Sequence, residues 1–139
     1  MNLTQAKADE LVAQAKEAVR NDAFTWQYNQ QQEELLIAVS DRDLHFLLTL
    51  KRNPFEIKAQ LRTRDRHIPL VRLDNSAQHV NPDGTVLRGP HLHWYKEGLG
   101  VTWAEAIDWH HADQPMETIL RFLDVIHARF PNGFQEALL

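Results

Sequence analysis

The chain has 139 residues, 43% hydrophobic and 24% charged, with a formal net charge of −4, which suits one globular core and excludes a disordered chain. It has no cysteine, so disulfides, zinc–thiolate sites and thiol nucleophiles are all excluded. The start, Met1 to Lys7, lacks the apolar core of a signal peptide, and no apolar run approaches the ~20 residues that span a bilayer. The expectation is a single cytoplasmic domain, residues 1–139, without membrane attachment.

The first segment has helical spacing: Ala8, Leu11, Val12, Ala15 and Val19 share one side. Asn2 or Thr4 can cap its start, and Asn21-Asp22 would end it. The period then falls to two. Phe24, Trp26 and Tyr28 alternate with polar residues, and after a polar turn Leu35, Ile37 and Val39 alternate again. A third run places Leu44, Phe46, Leu48 and Leu50 on one side. Asn53-Pro54 makes a turn, and a fourth run buries Phe55, Ile57, Ala59 and Leu61. A fifth strand covers Leu70–Asp74. Asn81-Pro82-Asp83-Gly84 is a turn, with proline and glycine at the positions that favour them. A sixth strand covers His91–Lys96, and Thr102–Trp109 reads as a short seventh strand or a helical turn, with the strand preferred. The last element is an amphipathic helix, capped by Asp113, with Pro115 in its first turn and a stripe of Met116, Ile119, Leu120, Leu123, Ile126 and Phe130; Pro131-Asn132-Gly133 stops it. The expected fold is α+β: an antiparallel meander sheet of five to seven strands flanked by an N-terminal and a C-terminal helix.

Charge is segregated along the chain. Residues 1–41 carry three basic and seven acidic side chains, and residues 97–139 carry two and seven. Between 42 and 72, eight basic residues, among them Arg62, Arg64, Arg66 and Arg72, face only Asp43, Glu56 and Asp65. Such a segment forms either an anion-binding face or a solvated strand face paired with the acidic helices.

Residues 72–95 concentrate the candidate chemistry. With Leu92 and Trp94 turned to the core, His91, His93 and Tyr95 share the opposite face; with Val71 and Leu73 inward, Arg72 and Asp74 project outward. If the two strands are neighbours, these five residues converge, and His79 and Asn81 lie on the intervening loop. Without metal or other cofactor, histidines supply general acid and base and arginine stabilises a phosphoryl transition state, a combination suited to attack by a ribose 2′-hydroxyl. With metal, His91, His93 and Asp74 or Glu97 would form a two-histidine, one-carboxylate site. Taken singly, each histidine also has a purely structural reading as a hydrogen-bonded strand residue. His45 and His127 read as structural, His110-His111 as a polar loop, and Trp26, Trp94, Trp103 and Trp109 as packing residues.

Arg72-Leu73-Asp74-Asn75, then His79, then Pro90-His91-Leu92-His93, resembles the R-x-D-N…H…P-H-x-H pattern of TumE-type bacterial toxins, small proteins of toxin–antitoxin pairs thought to act on RNA. The longer stretch from Asn81 to Gly98 is similar to an uncharacterised family of small bacterial and prophage proteins. The resemblance covers about a fifth of the chain, and Asn81–Gly89 is longer than the matching part of the toxin pattern. It implies Arg72, Asp74, His79, His91 and His93 as the site. His91-x-His93 followed by Glu97 is also similar to the first metal motif of cupins, but a long amphipathic helix follows where a jelly roll needs more strands. The leading expectation is an RNA-targeting toxin or prophage/defence protein with metal-independent ribonuclease-like chemistry, its cognate antitoxin a potential partner. His91 and His93 share acid and base roles, Arg72 meets the phosphate, Asp74 orients a histidine, and Tyr95 serves the leaving oxygen. His79, Asn81 and the basic segment bind. The alternatives are a non-enzymatic protein-binding module (an antitoxin, immunity protein or phage inhibitor) and a metal-binding protein using His91, His93 and Glu97.

Overall fold

The computed structural model describes residues 3–138. Its elements in chain order are α1 (Gln5–Ala13), β1 (Lys16–Ala18), β2 (Phe24–Trp26), β3 (Gln32–Ala38), β4 (His45–Arg52), β5 (Ile57–Thr63), β6 (Pro69–Asp74), β7 (Gln78–Val80), β8 (Val86–Arg88), β9 (His91–Lys96), β10 (Gly100–Ala106), α2 (Pro115–Val125), β11 (Ala128–Arg129) and β12 (Phe134–Glu136). The fold is α+β, as the alternation of period predicts. One eight-stranded sheet runs in the order β10-β9-β6-β5-β4-β3-β1-β11, antiparallel throughout except for the β1–β11 pair. Two small pairs, β7–β8 and β2–β12, complete it. No described helix is long and apolar enough to cross a membrane.

The core lies on one sheet face. Phe46, Leu48 and Leu50 of β4, Ile57, Ala59 and Leu61 of β5, and Leu73 and Leu92 meet Leu11 of α1 and Ile119, Phe122 and Leu123 of α2. Alternation over β4 and β5 therefore assigns the buried side correctly, except that Phe55 precedes β5 and is exposed. In β3 the residues of the helix-side core are Leu36 and Ala38, one residue out of phase with Leu35, Ile37 and Val39; of that expected set Ile37 is also buried, Leu35 is half-buried and Val39 is exposed. The run from Leu35 to Val39 is continuously apolar, so a period of two had no polar residue to mark the outer side. A register shift opposite β5 in β6 lets both Leu70 and Val71 bury.

Both helices are shorter than their apolar periodicity. Thr4 Oγ1 caps α1 by accepting from Lys7 N at 3.1 Å, while Asn2 lies outside the described residues. The helix stops at Ala13 because Lys16–Ala18 pairs with β3 and β11. Gln114, not Asp113, occupies the cap position of α2, and Pro115 opens the helix as expected. The helix ends at Val125 because His127 adopts a left-handed conformation (φ 57°) and the chain turns into β11. Of the expected stripe, Leu120 is exposed and Phe122 takes its place in the core.

One buried cation joins these corrections. Lys16, 1% exposed, donates from Nζ to the carbonyls of Val12, Gln14 and Ile126 at 2.9, 2.8 and 2.8 Å, and lies 4.8 Å from the centroid of the Phe46 ring. These carbonyls belong to the C-terminal ends of both helices, where partial negative charge accumulates. Three acceptors match the three N–H bonds of an ammonium and hold the charged form, against burial that pushes its pKa down to about 7. Lys16→Met is therefore expected to lower the unfolding free energy by about 1–3 kcal/mol, the scale of leaving buried carbonyls unpaired. Urea denaturation measures it; an unchanged midpoint would show that the ammonium does not hold the helix ends.

Candidate functional site

The site sits on the sheet face opposite the helices, where β6 and β9 run side by side. Their register pairs Arg72 with His93, Leu73 with Leu92 and Asp74 with His91. Leu73 and Leu92 enter the core, so Arg72, Asp74, His91 and His93 share the other face, as the alternation of both strands requires. The same transverse row runs Thr49, Gln60, Arg72, His93, Ala104 across five strands.

The β7–β8 hairpin closes over one end of this face. Its tip is the Asn81–Gly84 turn, in which Gly84 N donates to Asn81 O at 2.8 Å and Gly84 takes a φ of 90° that side chains disfavour. Asn81 is buried and acts as a piece of extra strand against β10. Its Nδ2 donates to Ala104 O and its Oδ1 accepts from Ala104 N, both at 2.8 Å. This clamp sets His79 above the two strand histidines. The His79 ring stacks on His91 with centroids 5.2 Å apart and meets His93 edge-on at 4.7 Å; His91 and His93 are also 4.7 Å apart.

Each imidazole is anchored by a backbone carbonyl. His91 Nδ1 lies 2.8 Å from Gly89 O, His93 Nδ1 lies 2.7 Å from Val101 O, and His79 Nε2 lies 2.9 Å from Thr102 O. A carbonyl only accepts, so these ring nitrogens carry protons, and in the neutral form of each ring the lone pair falls on Nε2 of His91, Nε2 of His93 and Nδ1 of His79. His91 is 0% exposed and its Nε2 has no hydrogen-bond partner among the described residues. His93 is 1% exposed, with Arg72 Nη2 3.5 Å from its Nε2. Desolvation, then the Arg72 charge, then His91 and His79, push the His93 pKa down to about 4, against the Val101 hydrogen bond that raises it. Among the described residues, one nitrogen from each of His79, His91 and His93 lies within 4.8 Å of the others, the geometry of a candidate metal centre.

The chain belongs to a family of unknown function, DUF6978. The family's sequence model matches residues 3–128, which contain every residue of this site. No curated protein and no solved structure matches.

In this DUF6978 member, the residues singled out in the sequence divide into three groups. Arg72, His79, Asn81, His91 and His93 come together, with Asp74 beside His91 in register and its Oδ1 accepting from Asn75 N at 2.7 Å. Arg62 lines a cleft of about 430 Å³ on the same face, with Arg72, Asp74, Lys51 and Lys58. Two of those cleft residues, Lys51 and Lys58, are in the sequence only members of the basic segment; their facing register across β4 and β5 is what marks them. The third group lies elsewhere. Tyr95 is buried, and its hydroxyl donates to Leu3 O at 2.7 Å, which removes it from the histidine set. Glu97 Oε1 accepts from Gln5 N at 2.7 Å and its backbone N–H donates to Gln5 Oε1, so this carboxylate serves the start of α1 rather than a metal site with His91 and His93. Arg64 and Arg66 lie in the β5–β6 turn, Arg64 against His45 and Arg66 against Asp65, outside the cleft lining. His110, read as a polar-loop residue, is buried and lies 3.1 Å from both the N–H and the carbonyl of Ile57.

The His93 shift has a definite pH sign. Its folded pKa, about 4, lies below its ordinary value of 6.5, so between these values the unfolded chain binds a proton that the folded chain refuses. His93 therefore supplies stability that is present above about pH 6.5 and lost as the pH falls towards about 4. Urea midpoints measured across this window with a chelator present should fall on acidification, and fall less steeply for His93→Gln. Equal slopes would assign the acid sensitivity to other groups.

Proposed function

We propose that this chain is an RNA-targeting protein that cleaves or engages phosphodiesters at the junction of the basic cleft and the histidine cluster. The observation that carries the reading is Arg72. Its guanidinium lines the cleft, reaches His93, and makes no ion pair among the described residues. Arg62, by contrast, is held by Glu33 at 2.6 Å and Thr49 at 2.7 Å. An unpaired arginine beside the neutral His93 imidazole suits a phosphate: its planar fork matches two anionic oxygens, and a neutral imidazole can accept a hydroxyl proton. Lys51 and Lys58, facing each other in register, extend the positive surface along the sheet and would follow a phosphate backbone.

The environment favours a division of labour between the histidines. His93, its pKa pushed down to about 4, enters in its neutral form as a proton acceptor, not as an acid. His79 is the half-exposed member, the one a substrate would meet first. The narrower reading as a toxin of a toxin–antitoxin pair, of bacterial or prophage origin, rests on the resemblance of Arg72–Asn75, His79 and Pro90–His93 to the TumE pattern.

Purified protein incubated with mixed RNA, in parallel with Arg72→Ala and Lys51→Ala/Lys58→Ala, tests this. Arg72→Ala is expected to lower cleavage by roughly 100-fold or more, the scale of losing one transition-state donor. The lysine pair is expected to weaken binding and to reduce the salt slope by about 2, one for each phosphate contact. Absence of both cleavage and binding would overturn the RNA reading. A tight stoichiometric protein complex that survives His91→Ala and His93→Ala would favour a protein-binding module.

A further inference from the structure

We infer that His79, His91 and His93 form a three-histidine site for a single borderline transition-metal cation of the zinc, cobalt(II) or nickel type, with its fourth position open towards Arg72. The inference stands on the cluster's own geometry and goes beyond the RNA reading without depending on it.

Three imidazoles gathered in a core usually satisfy one another, one ring's N–H donating to the next ring's lone pair. Here they cannot. Each ring's proton points outward to a backbone carbonyl, at Gly89, Val101 or Thr102; of the remaining nitrogens in the neutral rings, His93 Nε2 meets the Arg72 guanidinium at 3.5 Å and none meets an N–H of another ring. The most costly is His91 Nε2, wholly buried and without a partner among the described residues, where buried polar atoms are almost always paired. A cation satisfies all three lone pairs at once. The outward bonds are also what a histidine ligand needs: a carbonyl holding the far N–H sets the tautomer, fixes the ring plane and raises the basicity of the ligating nitrogen.

The donor set defines the ion. It holds neutral nitrogens, no thiolate and no carboxylate, which suits zinc and its neighbours and does not suit magnesium or calcium. Tetrahedral coordination at 2.0–2.1 Å needs nitrogens about 3.3 Å apart, so a cluster within 4.8 Å must contract by no more than about 1.5 Å. His79 can supply that movement, since it alone of the three is half-exposed and sits on a hairpin, not in the sheet. Arg72 then acquires a second role. Its charge opposes a bare cation, so the site favours a metal carrying an anionic fourth ligand, hydroxide or a phosphate oxygen, that bridges metal and guanidinium. Three protein ligands with one exchangeable position are the pattern of catalytic, not structural, zinc sites.

Dialysis of the whole protein against a chelator, followed by titration with zinc or cobalt(II) alone, tests the site without RNA. The expected result is one ion per chain by calorimetry, with cobalt(II) giving the intense visible absorption of a four-coordinate complex and magnesium giving no signal. His79→Ala, at a half-exposed position, is expected to weaken zinc binding by more than ~100-fold, and Asn81→Ala, which frees the hairpin, by about 10–100-fold. Near-UV circular dichroism checks that each variant is folded. Failure of the wild type to bind zinc or cobalt, a weak six-coordinate cobalt spectrum, or zinc affinity unchanged in folded His79→Ala would each overturn the inference. Because the readout is the metal itself, RNA cleavage that persists in chelator would leave the RNA reading standing after the metal site had failed, and the reverse outcome is equally visible.

Discussion

The antiparallel register of β6 against β9 is the constraint on which the site depends. It faces Leu73 with Leu92 on the core side and Arg72 with His93 on the other. Because side chains alternate every residue, a slip by one position would drive His91, His93 and Arg72 into the apolar core and expose the leucines. Burial of Leu73 and Leu92 thus fixes, as a side effect, which polar groups meet on the far face. The same hydrophobic effect that closes the core assembles the chemistry.

That far face would ordinarily be wet, and its histidines ordinary. The β7–β8 hairpin changes both. Asn81 ties the hairpin to the backbone of Ala104, and His79 is laid over His91 and His93, which excludes water from two imidazoles at once. For His93, desolvation then makes the neutral imidazole the favoured form, and the Arg72 charge reinforces it. A histidine kept neutral below pH 6 has its lone pair available to a proton or a cation at neutral pH, although the same shift makes it a weaker base than an ordinary imidazole. The environment, more than residue identity, separates these roles from those expected of exposed histidines.

The opposite end of the molecule is organised by a different buried polar group. Lys16 gathers carbonyls from the ends of α1 and α2, and the backbone of the same residue pairs with β11 and β3. Phe24, Phe130 and Phe134 cluster where β2 and β12 run parallel, Phe24 stacked on Phe134 and Phe130 edge-on to Phe134. The site and this helix-end junction lie at different places in the sheet order, so the frame can be anchored without drawing on the residues available for function.

Local pattern determined much of this protein. Alternation in Leu44–Leu50 and Ile57–Leu61 identified two central strands and their buried sides, Asn81–Gly84 identified a turn, and the spacing of His91 and His93 placed them on one face. These features depend on residues within a few positions of each other, where periodicity and turn chemistry act. Where several local outcomes were compatible with the pattern, only tertiary contacts decided. Residues 16–18 continue a helical stripe yet pair as a strand, because β3 and β11 offer them backbone partners that a lengthened helix would forgo. Tyr95 shares a strand with the histidines, but its hydroxyl is bound by a carbonyl 92 residues away; Glu97 is likewise drawn off by Gln5. His79 joins the cluster because Asn81 meets Ala104, 23 residues later. A sequence shows which residues can donate, accept or bury, but the partner each one finds depends on the competition among distant groups that folding brings within reach.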